Sequence, residues 1–499
     1  MNDPATITWG LLSHTNAGKT TLARTLLRRD IGEIGDRAHV TEHSERHTLI
    51  ESPEGDALVL WDTPGFGDSM RLSKRLKQQA DPITWVLAQS WDRFADRPYW
   101  SGQQAIRTAH VDCDIVLYVV NAAETPEDAP FVATELEILE RIGKPVLLLL
   151  NQAGPQRTAA RAQSEAELWR AHLATYRCVR GVVAFDAFAR CWVQEGTLVD
   201  QLAKLVRPEQ QPAAARLSAA WHARNLEVFE RSIQVLASQL ALTAADEEPL
   251  ALTDLPQRVR QWVGALTTQG EHTDRELERA HEALASRVDD VDRGAVDSLI
   301  QLHGLSGHAA AEPLRMLAQD LAVERPIDAH RASLVGGFVA GAAGGVAADL
   351  AVGGLSFGSG ALIGAIVGAL GARGATRAYN VARGREQGRV RWSPPWLTQR
   401  LGNALIGYLA VAHFGRGRGE FVRAAIPDTW QQALSALALH RDTLDAIWKR
   451  AATSDRAAIE QQLRAPLREL ARTVLVGLYP EAEPATQAPL PNKNVVSDR

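Results

Sequence analysis

The segment SHTNAGKTTL, Ser13–Leu22, gathers the residue types that can hold a polyphosphate. Its spacing is that of a phosphate loop, a glycine followed by four residues and then Gly-Lys-Ser/Thr, with Ser13 standing at the first glycine. In such a loop the backbone N–H groups and the start of the following helix hold anionic oxygens. Lys19 is placed to reach the β- and γ-phosphates, the Thr20 hydroxyl to ligate Mg2+, and Gly18 to let the backbone come close. Asn16, Ala17, Gly18, Lys19, Thr20 and Thr21 are therefore expected nucleotide contacts. A second segment, ALVLWDTPGFG (Ala57–Gly67), ends an apolar run in Asp-Thr-Pro-Gly. A carboxylate at the end of a buried strand can hold a Mg2+-bound water, the role expected of Asp62. The Gly65 N–H can turn toward a γ-phosphate, so this segment would sense whether that phosphate is present.

The two motifs together resemble the P-loop GTPases, specifically the Era/TrmE-like branch, with Asn before Ala/Val-Gly-Lys and then Asp-Thr-Pro-Gly. The resemblance covers roughly residues 5–200 and implies an α/β P-loop G domain using GTP and Mg2+. It places the switch I threonine, a further Mg2+ ligand, at Thr41 in HVTEHSE, with Thr48 as the competing position. Lys19, Thr41 and Gly65 are the residues it implies for hydrolysis. Asn16 occupies the loop position that holds a monovalent cation in potassium-stimulated relatives, so K+ dependence is an expectation. Phe66 follows Gly65 where some GTPases carry a water-orienting Gln. Slow intrinsic turnover, raised by dimerisation or a partner, is expected. His14 lies in the loop and belongs to the type that titrates near neutrality, with a structural role as the competing reading.

Base recognition departs from the family. In VLLLLNQAG (Val146–Gly154), Asn151 is kept, but Gln152 and Gly154 replace the Lys and Asp of Asn-Lys-x-Asp. Losing that carboxylate removes a charge-assisted hydrogen bond of about 1.5–3 kcal/mol to guanine. After the last strand the resemblance places an N–H for guanine O6 at Ala187, beside Asp186. GTP is the nucleotide expected, with ATP or relaxed specificity as the rival.

The elements that must position these residues follow from alternation. Up to about residue 200, apolar runs at Ile7–Leu12, Thr48–Ile50, Leu58–Trp61, Ile115–Val120, Val146–Leu150 and Val182–Phe185 alternate with helical patterns. That alternation predicts a mostly parallel sheet with helices on both faces. The G domain is expected over 1–206. A helical insertion over 70–108, after switch II, carries Trp85, Trp91 and Trp100 among arginines and lysines; it reads as an interface or as an anchored hairpin. RPEQQPAAA (207–215) reads as a linker. A helical region over 216–480 follows, with Phe229, Ile233, Leu236 and Leu240 on one stripe. A second stripe runs through Leu277, Leu284, Val288, Val291, Ala295, Leu299 and Leu302, and Gly304 can stop it. The tail 481–499 is expected to be disordered.

Between Ala332 and Ala372 the only charge is Asp349. Gly337, Gly341 and Gly345 mirror Gly360, Gly364 and Gly368 at intervals of four, predicting a glycine-rich apolar hairpin over 332–372 with closely packed arms. Each arm, roughly 15–20 residues or about 22–30 Å of helix, suits entering and leaving one membrane face. Arg373, Arg377, Arg383, Arg385, Arg389 and Arg391 follow it. Association of 332–391 with the inner membrane or a membrane protein is thus one expectation; a hairpin packed in a soluble core is the other. The chain of 499 residues carries a net charge of −5, so a broad basic face for nucleic acid is not expected. Three cysteines (Cys113, Cys178, Cys191) without metal-ligand spacing, and no signal-peptide pattern, point to the cytoplasm. The whole resembles bacterial GTPases that carry a long C-terminal domain of unknown function.

Overall fold

The computed structural model describes residues 4–14, 17–28, 43–88, 96–151, 159–185, 191–250, 270–305, 388–414, 430, 437, 440–451 and 454–479. Six strands form one sheet: β1 (Thr6–Ser13), β2 (Glu45–Glu51), β3 (Ala57–Asp62), β4 (Ile115–Asn121), β5 (Val146–Asn151) and β6 (Val179–Ala184). Their order is β2-β3-β1-β4-β5-β6. β2 runs antiparallel to β3, and every other neighbouring pair is parallel. Each apolar run found in the sequence contributes to one of these strands, and the mostly parallel α/β architecture is as expected.

The central strands read as unbroken apolar runs because helices cover both faces. On β4, Val116, Tyr118 and Val120 face one layer, while Ile115, Leu117 and Val119 face the other. The first layer holds α2 (Ser69–Leu76), α3 (Pro82–Ala88), α4 (Arg97–Arg107), α5 (Pro130–Ile142) and α6 (Ala159–His172). The second holds α1 (Lys19–Leu27), α7 (Trp192–Ala203) and the first half of α8 (Gln211–Ala245). The segment expected as an inserted hairpin supplies α2–α4, with residues 89–95 outside the described set. Leu72, Leu76, Ile83, Val86 and Tyr99 anchor it in the core.

The segment 207–215, expected as a linker, is instead a 3-10 turn (Pro208–Gln210) leading into α8. Its Pro and Gln residues, read as flexible, suit a helix start: Pro212 sits in the first turn, where a missing N–H costs nothing. The Gln210 amide donates to Asp114 Oδ1 (3.0 Å), and Ala213, Ala214, Leu217 and Trp221 pack onto the sheet. Arg216 grips the fully buried Asp56 through two bonds, Nε–Oδ2 at 2.6 Å and Nη2–Oδ1 at 2.8 Å. These bonds hold the Asp56 carboxyl below the usual carboxylate range.

The same helix continues into a second core. Phe229, Ile233, Leu236 and Leu240, the stripe read from the sequence, pack with α9 (Gly270–Leu302), α10 (Pro394–Ala412), α11 (Arg441–Ala451) and α12 (Arg456–Leu478). Leu284, Val288 and Leu299 of α9 are buried as expected, whereas Val291 and Leu302 are half-buried. Gly304 does end α9, with φ +65° and the Leu305 N–H bonded to the Ile300 carbonyl. Within the region expected to be mostly helical, β7 (Glu247–Leu250) and β8 (Gly388–Arg391) form an antiparallel pair. Four residues are too few for an alternation to show. Among the described residues no helix is long and apolar enough to cross a membrane. The glycine-rich hairpin (332–372) and the tail (481–499) lie outside the described residues.

Candidate functional site

Ser13, Asp62 and Asn151 stand at the carboxyl ends of β1, β3 and β5. In open α/β sheets this edge is where ligands bind, at the point where the strand order reverses. Lys19 and Thr20 open α1 directly behind β1, and Gly18 precedes them with φ +81°, a left-handed conformation that disfavours any side chain. Ala17 and Thr21 are buried beside them.

The polar groups converge. The Lys19 ammonium, 8% exposed, donates to Ser13 Oγ at 2.8 Å. Thr20 Oγ1 donates to Asp62 Oδ2 at 2.8 Å. The other Asp62 oxygen, Oδ1, is buried without a hydrogen-bond partner among the described residues. Burial pushes the Asp62 carboxyl up to about 6, against the pull of Lys19 and the Thr20 bond. Burial likewise lowers Lys19 from its ordinary value, while Asp62 and Glu135 draw it back up. Desolvation thus outweighs attraction on both members of the pair, and the cluster is short of compensating charge and bonds. The Thr20 hydroxyl and the buried Asp62 carboxylate are oxygen donors of the kind Mg2+ takes, and the N–H groups that open α1 suit phosphate oxygens.

The surrounding loops are tied to this edge. The Asn151 amide, fully buried, donates to the Ala17 carbonyl at 3.0 Å and so braces the phosphate loop from β5. Thr63 Oγ1 donates to the Leu11 carbonyl (2.6 Å), and the Phe66 N–H to the Ser13 carbonyl (3.1 Å). Gly65 is buried between them, and the Phe66 ring is fully buried in the core. Asn16, Thr41, Gln152, Gly154, Asp186 and Ala187 lie outside the described residues. Thr48, the alternative to Thr41, sits within β2 opposite Val59.

Two residues at the site were not singled out from the sequence. Glu135 of α5, 0% exposed, accepts from Tyr118 OH (2.6 Å) and bonds the His14 ring (2.7 Å). The available signal was a carboxylate on an apolar helix face, since Val132, Leu136 and Leu139 flank it at helical spacing.

The far end of α1 is also held. Arg28, with φ +55°, is the one non-glycine residue with a positive φ among the described residues, a left-handed conformation that side chains rarely adopt. Its guanidinium bonds Glu195 of α7 (3.2 Å) and the Asn225 side-chain oxygen of α8. Burial pulls Arg28 down to about 10. Thr25, Arg28, Trp192, Glu195 and His303 line a small cavity between the two cores.

Residues 8–152 match the family model of the 50S ribosome-binding GTPases, and residues 170–473 match that of a domain of unknown function, DUF3482. The second match begins inside α6, so it takes in β6 and α7 of the sheet. A chloroplastic translation initiation factor IF-2 from Galdieria sulphuraria is 30% identical over 78 residues, 16% of this chain and 30% of that protein. Aquifex aeolicus Era bound to GDP and aluminium fluoride is 18% identical, with a TM-score of 0.29, covering 40% of this chain and 57% of that one. Era in complex with MgGDPNP and a segment of 16S ribosomal RNA is 14% identical, with a TM-score of 0.30, covering 57% and 90%. The chain therefore spans about a third of the curated relative and little more than half of the first of these structures. An N-terminal GTPase domain is thereby established, and with the longer match covering more than half its length, the chain belongs to the family defined by DUF3482.

Proposed function

We propose that this protein is a Mg2+-dependent GTP switch whose nucleotide state is passed to its helical half. The observation that carries the reading is the double anchorage of α1. Its first residues, Lys19 and Thr20, enter the phosphate site, and Arg28 at its other end is bonded to α7 and α8. α8 in turn belongs to both cores. A shift of α1 on nucleotide exchange would therefore press on the helical part through buried, charge-assisted bonds.

In this reading Lys19 holds the β- and γ-phosphates, the Gly18 backbone and the start of α1 cradle them, and Gly65 reports the γ-phosphate. Mg2+, when bound, neutralises phosphate charge; Thr20 would hold it directly and Asp62 through water. Thr41 remains the proposed switch I ligand. Phe66, sealed in the core, has no means of orienting the attacking water, which supports slow intrinsic turnover until a partner or a second copy supplies a group. Asn151 and Ala187 would read the base, with K+ beside the phosphates through Asn16. Attachment of 332–391 to the cytoplasmic membrane face is supported by its sequence pattern alone.

The test measures GTP hydrolysis and hydrogen exchange of the full chain with GDP and with a non-hydrolysable GTP analogue. Wild type should hydrolyse GTP in preference to ATP and XTP, and Lys19→Ala should lose hydrolysis at least a hundredfold, on the order of an oxyanion-stabilising group. Protection over α9, α10 and α12 should differ between the two nucleotides. Identical exchange there would refute the switch, and a preference for ATP would refute the nucleotide.

A further inference from the structure

Ser13 is the last residue of β1, where the phosphate-loop spacing has its first glycine, and it is 0% exposed. A glycine there would bring only backbone, whereas the serine adds a hydroxyl that makes two bonds. It accepts from the Lys19 ammonium at 2.8 Å and donates to the His14 carbonyl. Its one proton is thus committed to the loop backbone, which leaves a lone pair for Lys19. Among the described residues Ser13 Oγ is the one hydrogen-bond partner of that ammonium, which is buried at 8% exposure.

Two carboxylates compete for the same charge, since Asp62 and Glu135 both act on Lys19 through their fields. Both Glu135 oxygens are engaged: one bonds the His14 ring at 2.7 Å, and the other accepts from Tyr118 OH at 2.6 Å. Asp62 is only half engaged. Its Oδ2 accepts from Thr20 Oγ1 at 2.8 Å, while Oδ1 has no partner among the described residues. An ammonium carries three donors, and Ser13 takes one of them. A bare carboxylate oxygen and two unused N–H groups would close into a buried ion pair if the lysine could swing across. That pair would neutralise Lys19 before any phosphate arrived. A hydroxyl carries no charge, so it fixes the ammonium in place without quenching it.

We infer that Ser13 is a positioning residue of the phosphate site, whose hydroxyl holds Lys19 off Asp62 and keeps the ammonium available to the β- and γ-phosphates. This rests on the GTP reading above. As nucleotide arrives, two N–H groups of Lys19 turn to phosphate oxygens while the third stays on Ser13, so no bond has to break first. Without the hydroxyl the ammonium closes on Asp62 Oδ1, and a phosphate must displace a carboxylate to reach it.

The test uses the full chain with Ser13→Gly, the residue of the ordinary loop spacing, and with Ser13→Ala, which keeps the Cβ and drops the hydroxyl. GDP affinity is read from the rise in urea midpoint at millimolar nucleotide with Mg2+, and kcat/KM from GTP hydrolysis. Each variant should bind GDP about tenfold more weakly and lose kcat/KM by about as much, the size of one hydrogen bond to a charged group. The nucleotide-free midpoint of Ser13→Ala should stay that of wild type, because a bond from Lys19 to Asp62 replaces the one lost. In a Lys19→Met background, Ser13→Gly should cause no further loss of affinity, since its effect runs through the ammonium. Wild-type affinity in both serine variants overturns the inference, as does an equal loss in the Lys19→Met background. A Ser13→Ala midpoint lowered together with its affinity marks a merely structural serine and overturns it too. Absence of GDP binding by wild type would instead strike at the GTP reading itself.

Discussion

Asp62→Asn should make the nucleotide-free protein more stable while removing the Mg2+-dependent gain on binding GTP. The carboxyl is displaced from 3.8 to about 6 by burial, net of the attraction of Lys19 and the Thr20 bond. At 1.36 kcal/mol per unit, that displacement amounts to about 3 kcal/mol for keeping the charge in the folded protein above pH 7. For a carboxyl raised on folding, the stabilising proton is fully bound below 3.8 and lost as pH rises through about 6. The asparagine has no such dependence and can still accept the Thr20 hydrogen bond. Its advantage should therefore approach about 3 kcal/mol at pH 8 and fall to about half of that at pH 5. Urea unfolding in EDTA, followed by tryptophan fluorescence with the slope held equal, measures it. Adding Mg2+ and GTP should reverse the ranking, since wild type gains by mass action and the variant does not. Equal midpoints at pH 8, or an advantage that grows on acidification, would refute the reasoning.

Two substitutions probe the union of the two cores. Trp221→Ala deletes a fully buried ring from the part of α8 that lies on the sheet and should cost about 3–5 kcal/mol. The loss should be read as a lower urea midpoint for the nucleotide-binding half, though Trp221 lies outside residues 8–152. Arg28→Met removes the guanidinium bonded to Glu195, 3% exposed, and should destabilise the folded state by about 3 kcal/mol. Adding Glu195→Gln to Arg28→Met should restore much of that loss, a recovery visible in a thermal melt.

The nucleotide edge was legible because its chemistry is local. Lys19, Thr20 and Asp62 stand in motifs of a few residues, and the apolar runs before them mark the strands that place them. His14 was seen as a loop residue of two readings, but its partner sits 121 positions away on another helix. Nothing in the spacing of Glu135 announces a phosphate site; only its place on an apolar helix face sets it apart. The 207–215 segment failed for a different reason. Pro, Gln and Ala are common to linkers and to helix starts, and the contacts with Asp114 and the sheet that decide between them are non-local.

α8 has a consequence for the order in which the protein is made. Its 35 residues, about 52 Å of helix, begin on the sheet and end in the helical core. β6, the last strand of the sheet, is complete at Ala184, but Leu217 and Trp221 must still be synthesised before that face of the sheet is covered. Chains usually fold domain by domain from the N-terminus as they emerge. Here the GTPase half must wait for residues of the segment matched as DUF3482, so a nascent chain halted near residue 206 would carry an uncovered apolar trough. A sheet covered on both faces is thereby one whose helical half has already begun to be made.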